Sequence, residues 1–401
     1  MLVSVLIFLG TYLVLGLGTL PGFRVDRTGA AIIGASLMIA FGELTLEDAF
    51  HAVNYETIIL LFGMMIVVAN LRLSGFFNLV SAWVVQHAHR PALLLSAIVL
   101  VSGLLSAFFV NDTICLVLTP LVLEVVLRLK RNPVPYLLAV AMAANVGSVA
   151  TITGNPQNMM IGTFSGIPYR VFVSRLAPVA FGGLVLTVLV LLCLYRKELL
   201  HQSPVEVGRI RVRVNRVLLW KSLAAAAAMI VLFFVGWPVP KVAIVVGALL
   251  LITRRVKPEK VYREIDWSLL VLFVGLFIVV EGMERTPLAS ELANIASRYR
   301  LDHPAVLSVF SLIGSNLVSN VPAVLVFRPL VATLPDAETA WLALAMSSTL
   351  AGNLTLIGSI ANLIVVERSR NQVRITFWEY LKAGVPLTIL SIGLGLLVLS
   401  I

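Results

Sequence analysis

The chain has 401 residues, of which 59% are hydrophobic and only 12% are charged, and its mean hydropathy is +1.00. This composition excludes an ordinary soluble domain and predicts a protein that crosses the membrane several times. The formal charge of +10 comes from basic residues in short loops between apolar segments. That distribution is typical of topology signals, so we expect membrane lipid and no nucleic acid among the partners.

Apolar segments of spanning length follow one another along the chain. The first, within residues 1–18, has no basic region ahead of it and no small-residue cleavage site, so we expect a retained helix and not a signal peptide. Two segments, 29–42 and 240–253, are short, and we expect their helices to extend into the flanking residues. The other spanning segments are 55–71, 171–195, 217–236, 267–283 and 377–400.

Two further regions have the pattern of re-entrant hairpins. In residues 92–129 and 304–334, two apolar arms are joined by a short polar tip, Asn111-Asp112-Thr113 in the first and Ser319-Asn320-Val321-Pro322 in the second. After each hairpin comes an apolar segment, 136–164 or 341–366, that a polar stretch interrupts. Because lipid offers no hydrogen-bonding groups, we expect such breaks only where the backbone lines a cavity.

The two interruptions correspond to each other. The stretches Thr151-Ile152-Thr153-Gly154-Asn155-Pro156-Gln157-Asn158 and Thr355-Leu356-Ile357-Gly358-Ser359-Ile360-Ala361-Asn362 share threonine, glycine and the final asparagine in register. Earlier segments also repeat, at offsets of 212 and 209 residues, against 204 for the breaks. The sequence therefore predicts two repeats, 1–195 and 217–401, joined by a basic linker at 196–216.

Each repeat is expected to cross the membrane five times in addition to its hairpin, so the second repeat is inverted relative to the first. Placing the linker in the cytoplasm puts all but 7 of the 30 basic residues on that side. We therefore predict an all-α polytopic protein of the plasma membrane with both termini outside. Inverted repeats with paired broken helices typically hold a transport site near the middle of the membrane.

The polar residues at the tips and breaks form the candidate site. Asn111 and Asn320 are placed to cap the second hairpin arms, and Pro156 suits a first helical turn, so several helix N-termini are expected to converge. Their partial positive charge suits an anion or an oxygen-rich neutral solute, and carbonyls freed near Gly154 and Gly358 suit sodium. The alternative is that these asparagines and glycines only help the helices to pack.

Asp112 is the acidic residue expected nearest the midplane. A carboxylate there must be paired with a cation, hydrated or protonated, which makes Asp112 a candidate proton or cation site. The alternative role is stabilisation of the second arm through the helix dipole. Arg328 stands 8 residues from Asn320, about 12 Å along a helix, so we expect it to snorkel to the outer interface and not to bind substrate.

The sequence has no pattern of an enzyme. Cys115 and Cys193 lie in apolar segments, which argues against a disulfide framework or a cysteine-built metal site. No G-x-x-x-x-G-K-[ST] loop is present, so we expect no cofactor and energy from a sodium or proton gradient. Five histidines lie in predicted loops or interfaces without metal-site spacing: His51, His87, His89, His201 and His303.

Four motifs together resemble those of the ion transporter superfamily, which contains arsenite permeases, divalent-anion/sodium symporters and sodium/proton antiporters. They are Val110-Asn111-Asp112-Thr113 leading to Thr119-Pro120, Gly154-Asn155-Pro156-Gln157-Asn158, Ser319-Asn320-Val321-Pro322 and Gly358-Ser359-Ile360-Ala361-Asn362. The resemblance covers nearly the whole chain. It implies an elevator mechanism, in which each hairpin and its broken helix move against a scaffold that also forms a homodimer.

The resemblance also implies residue roles. Val110, Asp112 and Val321 depart from the Ser-Asn-Thr tips of the symporters, and the Asp112 carboxylate would repel a dicarboxylate, so the first tip is more similar to the arsenite permeases. The two implied cation sites are Ser106, Asn111 and Gly154, and Ser315, Asn320 and Gly358. We expect substrate contacts from both halves: Asn111, Asp112, Thr113, Asn155, Pro156, Asn158, Asn320, Ser359 and Asn362.

The leading hypothesis is an ion-coupled secondary transporter for a small anion or oxyanion, similar to the arsenite permeases. Within the same fold, the alternatives are a sodium/proton antiporter that uses Asp112 and a sodium-coupled dicarboxylate symporter. A passive channel or a membrane sensor is the alternative from another class, although paired breaks favour alternating access over an open pore. The substrate, the coupling ion and the direction of transport stay open at this point.

Overall fold

The computed structural model describes residues 2–20, 22–87, 90–200, 213–287 and 299–400, and within them the chain is all-helical apart from one isolated bridge. The first half contains α1 (Leu2–Leu17), α2 (Arg27–Ala40), α3 (Leu46–Ala52), α4 (Tyr55–Ser74), α5 (Phe76–His87), α6 (Pro91–Phe108), α7 (Asn111–Arg128), α8 (Val134–Ser148), a 3-10 turn (Ile152–Gly154), α9 (Pro156–Ser165), α10 (Tyr169–Leu194) and α11 (Arg196–Leu199). The second half contains α12 (Arg216–Val235), α13 (Val239–Leu251), α14 (Pro258–Tyr262), α15 (Trp267–Glu284), α16 (Pro304–Val318), α17 (Asn320–Val331), α18 (Ala337–Ala351), a 3-10 turn (Leu356–Gly358), α19 (Ile360–Ser369) and α20 (Phe377–Leu399).

The predicted polytopic all-α fold is confirmed. Among the described residues, six helices are long and apolar enough to cross a membrane: α4, α6, α10, α12, α15 and α20. The expected extension of the two short segments is wrong. Helices α2 and α13 have only 14 and 13 residues, because the side chain of Asp26 caps the start of α2, Gly42 with φ of 73° follows its end, and Pro238 precedes α13.

The two halves repeat the same order of elements and exchange packing partners. Helix α2 packs on α15, and α4 packs on α13, so each pair takes one helix from each half. Within each half, the first hairpin arm packs on the first part of the broken helix, α6 on α8 and α16 on α18. This reciprocity supports the predicted twofold relation between the repeats. Residues 201–212 of the predicted linker lie outside the described residues.

Contacts between helix ends show which of them share a membrane face. Arg285, after α15, forms an ion pair with Asp48 of α3 at 2.8 Å. Arg72, near the end of α4, forms an ion pair with Glu264, which precedes α15. Both pairs join residues that the predicted topology places on the same side. The short helices α3, α5 and α14 were not predicted, and α3 and α5 contain His51 and His87.

Candidate functional site

Two helices that carry the site lie at the centre of the molecule. Every residue of α8 is buried, as is every residue of α18 from Ala340 onward. Each helix stops at a break, residues 149–155 after α8 and residues 352–359 after α18, and a new helix then starts. At the first break, Asn155 caps α9 by accepting a hydrogen bond from the Asn158 amide at 2.8 Å, and Pro156 is the first helical residue.

Asn158 and Asn362 close the two breaks in the same way. The Asn158 side chain donates to the carbonyls of Ser148 and Thr151, both at 3.1 Å. Asn362 donates to the carbonyls of Gly352 and Thr355, at 2.6 and 3.1 Å. These bonds give additional donors to backbone oxygens at the two helix breaks, so both asparagines hold the breaks together.

Asn145, on α8, joins the two halves. Its side-chain oxygen accepts hydrogen bonds from Asn111 of the first tip and from Ser359 of the second break, both at 3.1 Å. Its side-chain nitrogen donates to Asn353 and to Asn362, both at 3.0 Å. Three of the predicted site residues, Asn111, Ser359 and Asn362, therefore meet at one side chain.

Thr349, on α18, makes the reciprocal connection to the first break. Its hydroxyl oxygen accepts from the side-chain nitrogens of Asn155 and Gln157, both at 3.2 Å, and its hydroxyl donates to the Asn158 oxygen at 3.4 Å. The two networks meet on α8, because Asn155 also donates to the Ser148 hydroxyl and Ser148 donates to the Asn145 carbonyl. The result is one buried cluster of amides and hydroxyls between the halves.

The expected capping role of the tip asparagines is wrong. Val110 precedes α7 without a side-chain capping bond, and Asn111 is already the first residue of the helix. Its side-chain nitrogen donates to Asn145, and its oxygen, the atom that would accept a capping bond, has no described partner. In the second hairpin, Ser319 precedes α17 with φ of 79° and also makes no capping bond, while Asn320 packs beside Gly352 and the second break.

Four side-chain oxygens of the predicted cation sites are buried without a hydrogen-bond partner among the described residues. They belong to Ser106, Asn111, Ser315 and Asn320, whose exposed fractions lie between 0% and 7%. A buried oxygen without a partner is destabilising unless a ligand or water binds it. Hard oxygen atoms of this kind are suitable ligands for a sodium ion, so the residues fit the predicted sites.

Asp112 and Thr113 stand apart from this network and line a cavity of about 90 Å³ together with Val110. The cavity also contains Asp266 and the Arg72–Glu264 ion pair. The Asp112 carboxylate makes no hydrogen bond with a described residue, but it lies in the first turn of α7, where the helix dipole stabilises a negative charge. The cavity connects the first tip with the Arg72–Glu264 ion pair.

Arg328 is partly buried and makes no bond with the network. It forms an ion pair with Glu284 at 2.9 Å, and its guanidinium stands 4.8 Å from the centre of the Phe164 ring. Its position at the outer interface stays a prediction. Among the described residues, no lysine or arginine makes a hydrogen bond or ion pair with the amide and hydroxyl network, so this part of the chain gives the site no fixed positive side chain.

Sequence reasoning missed Asn145, Thr349 and Asn353. Asn145 was visible as a polar residue within an apolar segment. The repeat offset of 204 residues also places Asn145 opposite Thr349, in the same register as Gly154 and Gly358. That register was the signal that could have found Asn145 and Thr349, whereas Asn353 lies opposite Val149 and had no such signal.

Comparisons with known proteins agree with this architecture. The chain is 32% identical to the silicon efflux transporter LSI3 of Oryza sativa subsp. japonica, over 94% of this chain and 93% of that protein. It is 26% identical to the putative transporter arsB of Dictyostelium discoideum, over 92% of this chain and 86% of that protein. The crystal structure of the Alcanivorax borkumensis YdaH transporter is similar to this chain with a TM-score of 0.61 and 14% sequence identity. The match covers 99% of this chain and 96% of the YdaH chain.

The family comparison covers most of the sequence. Residues 11–351 match the citrate transporter family, CitMHS. Both hairpin tips and the first break lie inside the matched region, and the second break begins directly after it. The chain therefore belongs to the citrate transporter family of the ion transporter superfamily and is a multi-pass secondary transporter.

Proposed function

We propose that the protein is an ion-coupled exporter of a small oxyanion or its neutral acid, of the arsenite and silicate class. The observation that carries the proposal is a buried network of amides and hydroxyls to which, among the described residues, no basic side chain is bonded. Arsenous and silicic acids are uncharged near neutral pH, and their hydroxyls match groups that donate and accept. The rice relative, a silicon efflux transporter, and the Dictyostelium relative, a putative transporter arsB, support this class.

Citrate and other dicarboxylates or tricarboxylates fit this site less well. A multivalent anion needs compensating charge when it leaves water, and among the described residues no basic side chain bonds to the network. The Arg72 guanidinium, in the cavity beside the first tip, already pairs with Glu264. We therefore place the sodium-coupled dicarboxylate symporter behind the oxyacid exporter.

The coupling ions would bind at the two tips. In the first site, Ser106 and Asn111 would contribute their unpartnered oxygens together with Gly154, and in the second Ser315 and Asn320 would do so together with Gly358. A sodium/proton antiporter that uses Asp112 is the second candidate, and the cavity that reaches this carboxylate favours it over a channel or a sensor.

The mechanism we propose is an elevator in a homodimer within the plasma membrane. The hairpins and broken helices would move against a scaffold that includes α2, α4, α13 and α15. Few side-chain bonds join the two parts: Thr57 to Thr163 at 2.7 Å, Tyr12 to the Pro322 carbonyl at 3.1 Å, and Arg328 to Glu284. Both termini would lie outside and the basic linker inside, as the loop charges favour.

The test is transport by the purified protein in proteoliposomes under an imposed sodium or pH gradient. Arsenite, silicic acid, sulfate and citrate are compared, and we expect saturable, gradient-dependent movement of the first two. Asn111→Ala and Asn320→Ala should weaken it, whereas Asn371→Ala, at an exposed position outside the network, should not. Unchanged transport in both tip variants would show that the symmetric site is wrong.

A further inference from the structure

Asn145 uses every hydrogen-bonding position of its side chain. Its oxygen accepts from Asn111 and Ser359, and its nitrogen donates to Asn353 and Asn362, all at 3.0 or 3.1 Å. A carboxamide has two acceptor lone pairs and two N–H donors, so no position is left for a ligand. The role of Asn145 is therefore to hold other groups and not to bind substrate itself.

The bonds of Asn145 form a continuous relay between the halves. Asn111 donates to Asn145, Asn145 donates to Asn362, and Asn362 donates to the carbonyls of Gly352 and Thr355 at the second break. Hydrogen bonds in a buried chain polarise one another. A cation on the Asn111 oxygen makes the Asn111 N–H a stronger donor, and so strengthens the bonds further along the relay.

Among the described residues, the second half has no matching relay. Thr349 has the corresponding place on α18, but its single hydroxyl is used by Asn155, Gln157 and Asn158. The side-chain oxygens of both tip asparagines lack a described partner, but the Asn111 nitrogen donates to Asn145, whereas no hydrogen bond joins Asn320 to Thr349. The bond across the halves therefore holds the amide of the first tip and not that of the second.

We propose that Asn145 is a positioning residue through which cation binding at the first tip orders the second break, so that the two halves are inequivalent. The inference rests on the proposed cation site at Asn111. The first site would be organised before binding, whereas the second would be completed only after the first is filled. Because coupling between sites is reciprocal, an ordered second break also raises the affinity of the first site.

The test is hydrogen exchange of the full-length protein in lipid nanodiscs, with sodium chloride against choline chloride and at two pH values. In the wild type, the coupling ion should slow exchange at the first tip, residues 110–113, and at the second break, residues 352–359. Asn145→Thr copies the residue of the second half. At the tip, the variant should keep the ion-dependent slowing of amide exchange. At the break, that slowing should be about tenfold smaller than in the wild type, which is within the 5- to 150-fold range of coupled sites.

Asn70→Thr is the matched control, because Asn70 is equally buried and donates only to the Ile66 carbonyl of its own helix. If Asn145→Thr does not fold, Asn145→Asp is the second variant, because it keeps the acceptor positions and loses the paired donors. It should likewise keep the ion-dependent protection of the first tip and lose that of the second break. Undiminished ion-dependent protection of the second break in a folded Asn145 variant would overturn the inference alone. No ion-dependent protection at the wild-type tip would overturn the proposed cation site, and the inference with it.

Discussion

Asn158 and Asn362 make the same pair of hydrogen bonds at the two breaks, each to one carbonyl at the end of a helix and one carbonyl three residues later. The equivalence extends to the network, since Asn158 bonds with Thr349 and Asn362 with Asn145. Each broken segment is thus closed by its own asparagine and fixed to the opposite half. A chain built in this way has a buried polar centre that neither half completes alone.

Asn158→Ala and Asn362→Ala should both destabilise the protein. Each substitution removes two buried hydrogen bonds, which together contribute about 1–3 kcal/mol, although Asn155, Gly154 and Gly358 still donate to three of the four carbonyls. The midpoint of thermal unfolding of the purified protein measures the effect. Asn371→Ala, at an exposed position, is the control and should stay within about 0.5 kcal/mol of the wild type. A stable Asn158→Ala protein would mean that the remaining donors satisfy these carbonyls.

The two equivalent glycines of the breaks should differ in their tolerance of a methyl group. A Cβ at Gly154 would collide with the backbone of Ser148, whereas a Cβ at Gly358 would first meet the end of the Asn316 side chain, at 2.8 Å. Because a side chain moves more easily than backbone, Gly154→Ala should cost about 1–3 kcal/mol and Gly358→Ala less. Gly393→Ala, with no atom within 4 Å, is the control for both unfolding measurements. Equal losses at the two breaks would contradict the described geometry.

The repeat made much of the fold predictable, and its limits explain what was missed. Gly154, Asn158, Gly358 and Asn362 were recognisable because each breaks an apolar segment at a fixed offset from its counterpart. Asn145 was not recognised because its partners Asn353 and Asn362 are 208 and 217 residues away, where no local rule reaches.

The tips show the opposite limit, a local rule that tertiary structure overrides. An asparagine at the start of a helix normally caps it with its side-chain oxygen, but Asn111 is already the first residue of α7 and its side-chain nitrogen donates to Asn145 of the broken helix. Short helices such as α5 were missed for another reason, because they do not have the length of a spanning segment. Propensity therefore predicted where helices break, and packing decided which side chains meet there.

Asp48 should make the contact between α3 and the end of α15 sensitive to acid. Its pKa is lowered from 3.8 to about 2, first by the hydrogen bond from the Thr45 hydroxyl, then by the Thr45 amide and by Arg285. A depressed pKa means that the stabilisation is complete above pH 3.8 and is lost as the pH falls towards 2. Asp48→Asn should therefore unfold earlier than the wild type near neutral pH, and the difference should shrink in acid. Asp302→Asn, at an exposed position without a described partner, is the control and should show no such trend. If the stability difference between Asp48→Asn and the wild type stayed constant across pH, the acid sensitivity would not come from Asp48.

Asp112→Asn should abolish ion-driven pH changes if the carboxylate exchanges the coupling proton or cation. Asp112 and Asp266 line the same cavity, so Asp266→Asn is a matched control that removes the same charge. The control keeps the hydrogen bond by which residue 266 caps α15, at 3.0 Å, since asparagine caps a helix as well as aspartate does. The measurement is a pH-sensitive dye inside proteoliposomes during a sodium jump and, separately, during arsenite addition. If both signals are lost in Asp112→Asn but not in Asp266→Asn, Asp112 carries the coupling. If they are lost in both variants, the charge of the whole cavity carries it. If neither variant loses them, Asp112 is not part of the mechanism.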